Sequence, residues 1–94
     1  MHLKFRGDVW FWRGPAPFHF VTVPDEESED IHAVARDVTY GWGCIPVRGR
    51  IGTTSFTTSL FPKDGGYIVP IKVAVRDAER IALGDTVEVQ LTLG

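Results

Sequence analysis

The stretch Gly41–Gly52, Gly-Trp-Gly-Cys-Ile-Pro-Val-Arg-Gly-Arg-Ile-Gly, limits most strongly what this chain can fold into. Ile45, Val47 and Ile51 share one side of it and alternate with polar or ring residues. A period of two residues indicates a strand that is buried on one face. Gly49 interrupts the apolar side, and a glycine inside a strand marks a bulge or a close backbone approach. We therefore expect the chain to fold around a strand at this position.

Several other segments show the same period. The pattern is cleanest near the C-terminus, where Val87, Val89, Leu91 and Leu93 alternate with polar residues. Prolines and glycines separate the segments, as expected for turns between strands. The predicted strands are Leu3–Trp12, Phe18–Val23, Ile45–Ile51, Ser55–Phe61, Tyr67–Ile71 and Thr86–Leu93, with an Asp-Gly type turn within Pro62–Gly66.

Two segments switch to helical spacing. Between Asp25 and Thr39, apolar residues recur at intervals of three and four, and acidic residues fill the first turn, where they suit the helix dipole. Asp25 is the expected N-cap. A shorter helix is predicted after Lys72, on the spacing of Val75, Ala78 and Ile81. The acidic run therefore has a structural explanation, which we favour over a metal site.

Six strands and two helices in 94 residues favour closure of the sheet, because an open sheet of this size would leave long edges unpaired. The predicted fold is mainly β, a small closed or split barrel of about six strands with one main and one short helix. A hydrophobic content of 44% is consistent with a single domain over residues 1–94. A domain of this length has enough surface for one core only.

The first strand contains an anomaly. Leu3, Phe5, Val9 and Phe11 share the expected core face, which places Trp10 and Trp12 on the opposite face. Two interpretations are open: a bulge at Gly7 exchanges the faces, or the distal half of the strand is covered on both sides.

Charge and composition argue against some classes of function. The net charge is −2 and the ten basic residues are dispersed, whereas nucleic-acid binders usually carry a basic patch. The single cysteine allows neither an intrachain disulfide nor a cysteine-based zinc site. No signal-like segment or long apolar run is present, so the expectation is a cytoplasmic protein without a membrane partner.

Cys44 is the one candidate nucleophile, but a reactive thiol needs a neighbouring base or a positive environment. His2, His19 and His32 show no motif spacing in the sequence. We therefore favour a packed thiol over a catalytic one, and we expect no metal site and no cofactor.

Aromatic residues are concentrated around the first hairpin and the central stretch. The simplest explanation is that they form the barrel core and the seat of the long helix. Alternatively, they line an apolar ligand pocket with a few polar anchors, or cover a homodimer surface. The candidate ligand-binding or interface residues are Trp10, Trp12, Trp42, Phe18, Arg48 and Lys72.

An ordered set of landmarks resembles a known bacterial family over nearly the whole chain. The landmarks are the Trp-containing first hairpin, Pro24 before an acidic helix, Ile45–Gly52, Thr58–Pro62, Gly65–Pro70, Val75-Arg76 and Gly84-Asp85-x-Val87-x-Val89. The family is DUF1905. The resemblance implies a small β-barrel similar in type to the split barrels of the AbrB and MazE DNA-binding proteins. It implies no activity and transfers no functional residue. Some relatives carry a second, helical domain, so a partner or self-association is an open alternative here.

These observations favour a non-catalytic binding module for a small molecule or a partner protein over an enzyme. The first alternative is a small enzyme or isomerase with a pocket in the barrel mouth, using Cys44 or a basic side chain. The second is an AbrB-like nucleic-acid regulator, which rests on fold analogy and is disfavoured by charge.

The charge pattern predicts no specific binding to duplex DNA. Dispersed arginines and an acidic helix provide no stripe that would neutralise successive phosphates. Fluorescence anisotropy with a labelled duplex near physiological salt should show no sub-micromolar binding. Tight binding that weakens steeply with added salt would contradict the prediction.

Overall fold

The computed structural model of the protein describes residues 1–14, 18–38 and 43–93. Within these ranges the chain forms six strands and two helices. Their order is β1 (His2–Trp12), β2 (Phe18–Thr22), α1 (Asp25–Val38), β3 (Ile45–Ile51), β4 (Thr54–Lys63), β5 (Gly66–Ile71), α2 (Val73–Glu79) and β6 (Thr86–Leu93). This confirms the mainly β fold with one main and one short helix.

The strands close into a barrel in the order β1-β2-β5-β4-β3-β6, and every neighbouring pair is antiparallel. The two longest strands change partners along their length. β1 pairs with β6 over His2–Asp8 and with β2 over Val9–Trp12. β4 pairs with β3 over Thr54–Leu60 and with β5 over Phe61–Lys63. The predicted barrel is therefore closed, and β1 and β4 form its two corners.

The interior is filled by one side of each strand. In β3 the buried positions are Ile45, Val47, Gly49 and Ile51, as the alternation predicted. Gly49 lies opposite Phe56, and a Cβ atom added there would lie 2.5 Å from the Phe56 ring. The glycine thus allows an aromatic ring to pack against the β3 backbone, and β3 stays in register through it.

The two helices cover opposite ends of the barrel. Ile31 of α1 and Val75 of α2 both belong to the hydrophobic core. His32 in α1 lies close to Gly65, just beyond the end of β4, whereas Glu79 in α2 accepts a hydrogen bond from Thr54, the first residue of β4. A strand of ten residues spans about 30 Å. The ends of the barrel are therefore closed by different elements.

The boundaries of the helices differ slightly from the predicted ones. Asp25 is the first residue of α1 rather than its cap, because the Ser28 amide already bonds to the Pro24 carbonyl at 2.9 Å. α2 ends at Glu79, and Arg80 takes a left-handed conformation with φ of 53°. Ile81 therefore lies beyond the helix that was predicted to contain it, although it still packs against the core. Neither helix, within the ranges described, has the length and apolarity needed to cross a membrane.

Both interpretations of the first strand are wrong. The register between β1 and β6 runs unbroken past Gly7, so no bulge exchanges the faces. Gly7 instead permits a close approach, because a Cβ atom there would lie 2.7 Å from Cγ1 of Val21. The end of β1 is not covered on both sides either: Phe11 is 40% exposed and Trp12 49% exposed. Phe11 leaves the core because β6 pairs with β1 only as far as Asp8.

The core position of β6 leads to a stability prediction. Val89 is fully buried, whereas Thr92 lies on the outer face and its hydroxyl bonds to His2. We expect Val89→Asp to abolish cooperative thermal unfolding, because desolvating a carboxylate costs several kcal/mol against a total stability of about 5–15 kcal/mol. Thr92→Asp should fold. Circular dichroism checks both variants, and a native-like melting curve for Val89→Asp would contradict the prediction.

Candidate functional site

The outer wall formed by β1, β2, β5 and β4 carries a group of large apolar side chains. The register pairs Trp10 with Phe20 and Trp12 with Phe18, so these four rings lie on one face of the sheet. The pair Phe61 and Ile68 continues the face across β4 and β5. The opposite face holds Val9, Val21 and Leu60, which are buried in the core. The aromatic residues of the first hairpin are therefore mostly outside the barrel.

These side chains surround a hollow of about 530 Å³, which we name the aromatic groove. Its apolar lining comes mainly from Trp12, Phe18, Phe20, Phe61 and Ile68, and Pro62 completes it. Cys44 and Lys63 bring the thiol and the ammonium group to its rim. The volume and the largely apolar lining are within the range of small-molecule sites.

The aromatic groove has a buried floor and partly exposed walls. Phe20 is 2% exposed, and its ring centroid lies 6.2 Å from that of Trp12 and 6.1 Å from that of Phe18. In contrast, Trp12, Phe18 and Phe61 are each 42–49% exposed. Three partly exposed rings thus surround the buried ring of Phe20. Contact between their apolar surface and water is unfavourable.

Trp10 has a different environment from Trp12. Its ring lies 5.3 Å from that of Phe20, and its indole N–H donates a 2.9 Å hydrogen bond to the Thr22 hydroxyl. The hydrogen bond fixes the orientation of the indole and satisfies its one polar atom. Trp10 therefore supports the floor of the groove and does not line it.

The structure divides the predicted site residues among three hollows. Trp12 and Phe18 meet in the aromatic groove. Phe18 also borders a hollow of about 430 Å³ with Lys72, whose ammonium group lies 3.4 Å from the Thr57 carbonyl oxygen. Arg48 lines a third hollow, of about 560 Å³, on the wall of β3, β4 and β6. Trp42 lies outside the described residues.

A comparison with known protein families identifies the family of this chain. The family model DUF1905, a domain of unknown function, matches residues 5–91, which is nearly the whole chain. The chain belongs to this family. No curated protein is detectably similar to it. The landmarks in the sequence had indicated DUF1905, and the small closed barrel agrees with the fold that the resemblance implied.

Several residues that line these hollows of the DUF1905 barrel were not among the predicted site residues, and two of them carry distinctive side chains. Phe61 is the third exposed aromatic of the groove, and Arg50 lies beside Arg48 in the third hollow. The sequence contains a signal for both, because the alternation of each strand places them on its outward face, next to a buried residue. This signal was not sufficient to predict the sites, since alternation shows which face a residue lies on but not which strands are neighbours around the barrel.

Cys44 is half-buried and carries a free thiol at the rim of the aromatic groove. Within the described part of the chain, no hydrogen bond joins it to a histidine or a carboxylate. The three histidines are held separately: His2 by Thr92, His32 by Gly65 and Tyr67, and His19 against Phe11. Among the residues described, no three metal-ligating side chains converge.

Two groups have altered acidity. Burial raises the pKa of the Tyr67 hydroxyl above its ordinary value, and that hydroxyl lies 3.4 Å from Nδ1 of His32. Burial, and secondarily the positive charge of Arg76, lower the pKa of His19 below its ordinary value of 6.5. The His19 ring packs edge-on to Phe11 at 5.2 Å between centroids, and this contact contributes to the burial that disfavours its charged form.

The lowered pKa of His19 predicts the direction of a pH effect on stability. The unfolded chain binds the proton more readily, so this contribution to the free energy of unfolding is complete above about pH 6.5. It is lost as the pH falls from there through the lower pKa of the folded state. Urea titrations between about pH 5 and pH 7.5 should show a shallower pH slope for His19→Gln than for the wild type. An identical slope in the two proteins would contradict the assignment.

Proposed function

We propose that this protein is a non-catalytic binding module that takes a small molecule in the aromatic groove. The observation that carries the proposal is the exposure of three large rings, Trp12, Phe18 and Phe61, around one hollow on one wall. The ligand has a flat, largely apolar body, because the groove offers ring faces and edges and a buried aromatic floor. Stacking on such rings contributes beyond the area that it buries.

The ligand also has an anionic substituent. Lys63 is the only charged residue among those that line the groove in the described structure, and it is positive. Its ammonium group lies 3.4 Å from the Asp64 carboxylate, but Asp64 is 86% exposed. An exposed pair of this kind contributes little to stability, so a ligand anion can replace Asp64 at low cost.

The enzyme alternative has less support from the site. A pocket in the barrel mouth was expected for it, whereas α1 and α2 lie over the two ends and place Ile31 and Val75 in the hydrophobic core. Cys44 borders the groove, but the described residues bring no general base to its thiol. Binding requires only the surfaces that are present, so it is the simpler proposal.

The dye anilinonaphthalene sulfonate (ANS) has the required chemistry, a flat apolar body with one anionic group. We expect saturable fluorescence enhancement with the wild type. Trp12→Ala and Phe61→Ala should each weaken binding about tenfold, because each removes a ring face from the bound dye. Thermal unfolding should remain cooperative in each variant, since both side chains lie on the outer face of the barrel and neither belongs to the hydrophobic core.

Phe11→Ala is the matched control. Phe11 is about as exposed as Phe61 but lies on the opposite face of β1, outside the groove. Its substitution should leave ANS binding unchanged. Equal losses in Phe11→Ala and Trp12→Ala would mean that the dye reports general hydrophobicity, and the proposal would fail.

Sedimentation velocity separates a ligand groove from a homodimer surface. The small-molecule proposal predicts a monomer whose sedimentation does not change with concentration. A dimer that dissociates on Trp12→Ala substitution would assign the groove to self-association and overturn the proposal.

A further inference from the structure

Two arginines of β3 face the same hollow on the side of the barrel formed by β4, β3 and β6. Arg48 lies in register between Thr57 and Thr92, and Arg50 lies between Ser55 and Gln90. Together they line the hollow of about 560 Å³ described above, which we name the arginine pocket. It shares no lining residue with the aromatic groove.

No salt bridge to Arg48 or Arg50 is found among the described residues. As far as the structure describes it, the lining contains no carboxylate. Glu88 is the acidic residue of the neighbouring position on β6, and its carboxylate lies 3.7 Å from the ammonium group of Lys4. Arg48 and Arg50 are residues i and i+2 of β3, with Cα atoms about 7 Å apart, so two positively charged side chains leave the same face of one strand.

The hydrogen-bonding groups of the arginines remain largely available. Arg50 donates from Nε to the Gly52 carbonyl at 3.0 Å, which leaves its two terminal amino groups. No hydrogen bond or ion pair is found for Arg48 among the described residues. Ser55 and Thr57, the register partners of Arg50 and Arg48 on β4, add two hydroxyl groups to the lining. The pocket is therefore rich in donors, with positive charge at its centre.

This donor set fits a tetrahedral oxyanion better than a single carboxylate. A guanidinium group binds phosphate through two parallel N–H···O bonds, and a phosphate presents three oxygens to neighbouring donors. The volume is larger than one phosphate group needs, which leaves room for a small organic residue. We propose that the arginine pocket binds the phosphate group of a small phosphate monoester.

Isothermal titration calorimetry at constant ionic strength tests the proposal with three probes: glycerol phosphate, inorganic phosphate and glycerate. Glycerol phosphate should bind saturably and at least as tightly as inorganic phosphate, and glycerate, which replaces phosphate by carboxylate, should bind more weakly. The absence of saturable glycerol phosphate binding would overturn the proposal. Tighter binding of inorganic phosphate, or equal binding of glycerate, would also overturn it.

Substitutions locate the binding. Arg48→Gln and Arg50→Gln should each lower the affinity for glycerol phosphate by about tenfold or more, since each removes charged hydrogen bonds. Arg48→Lys, which keeps the charge without the two-pronged geometry, should recover only part of the affinity.

Arg13→Gln is the matched control, because it removes the same charge from an exposed residue that lies outside the pocket. It should leave the affinity unchanged, and a loss equal to that of Arg48→Gln would overturn the proposal. Trp12→Ala should also leave glycerol phosphate binding unchanged. The proposals for the arginine pocket and for the aromatic groove can therefore be supported or overturned independently of each other.

Discussion

The structure depends on the pairing of β1 and β4, each of which forms hydrogen bonds with two different strands along its length. A six-stranded sheet of this size has unpaired edges unless it closes, and exposed edges invite association with other strands. Because β1 passes from β6 to β2 and β4 passes from β3 to β5, the hydrogen-bonded ladder continues round the whole barrel. The glycines at positions 7 and 49 allow the close packing of Val21 and Phe56 that accompanies this closure.

Closure places the candidate sites on the outer wall. The inner faces are occupied mainly by aliphatic side chains, together with Phe5 and Tyr67, and Ile31 and Val75 of the two helices belong to the same core. A ligand therefore finds no continuous passage through the core residues. The hollows with chemically distinctive linings are those between outward-pointing side chains.

Much of the fold could be predicted from the sequence, because alternation is a local property. The bounds of β3 match the predicted Ile45–Ile51, and β6 follows its clean alternation. The errors occur where the alternating pattern continues along a strand beyond the residues that pack against a neighbouring element. Phe11 continues the core parity of β1 but lies beyond the residues that β6 covers, and β4 continues through Pro62 and Lys63 into the predicted turn.

The candidate site was harder to predict for a related reason. Trp12 and Phe18 could be grouped because a hairpin connects them in sequence. Phe61 joins them only because β5 and then β4 follow β2 around the barrel, an order that differs from the order in the chain. Arg48 was assigned to the aromatic residues as a polar anchor, whereas its neighbours in register are Thr57 and Thr92. Register between distant strands is what the period-two pattern does not contain.

The distribution of charge explains why a net charge of −2 is compatible with a cationic pocket. Six of the twelve acidic residues lie in α1: Asp25, Glu26, Glu27, Glu29, Asp30 and Asp37. That helix covers the end of the barrel near Gly65, whereas Arg48 and Arg50 point outward from the wall of β3. Charges that are separated by more than about 8 Å in water are largely screened at physiological salt. An anion that approaches β3 therefore responds to the local guanidinium groups and not to the overall charge, and a composition that argues against a long duplex still permits a site for one small anion.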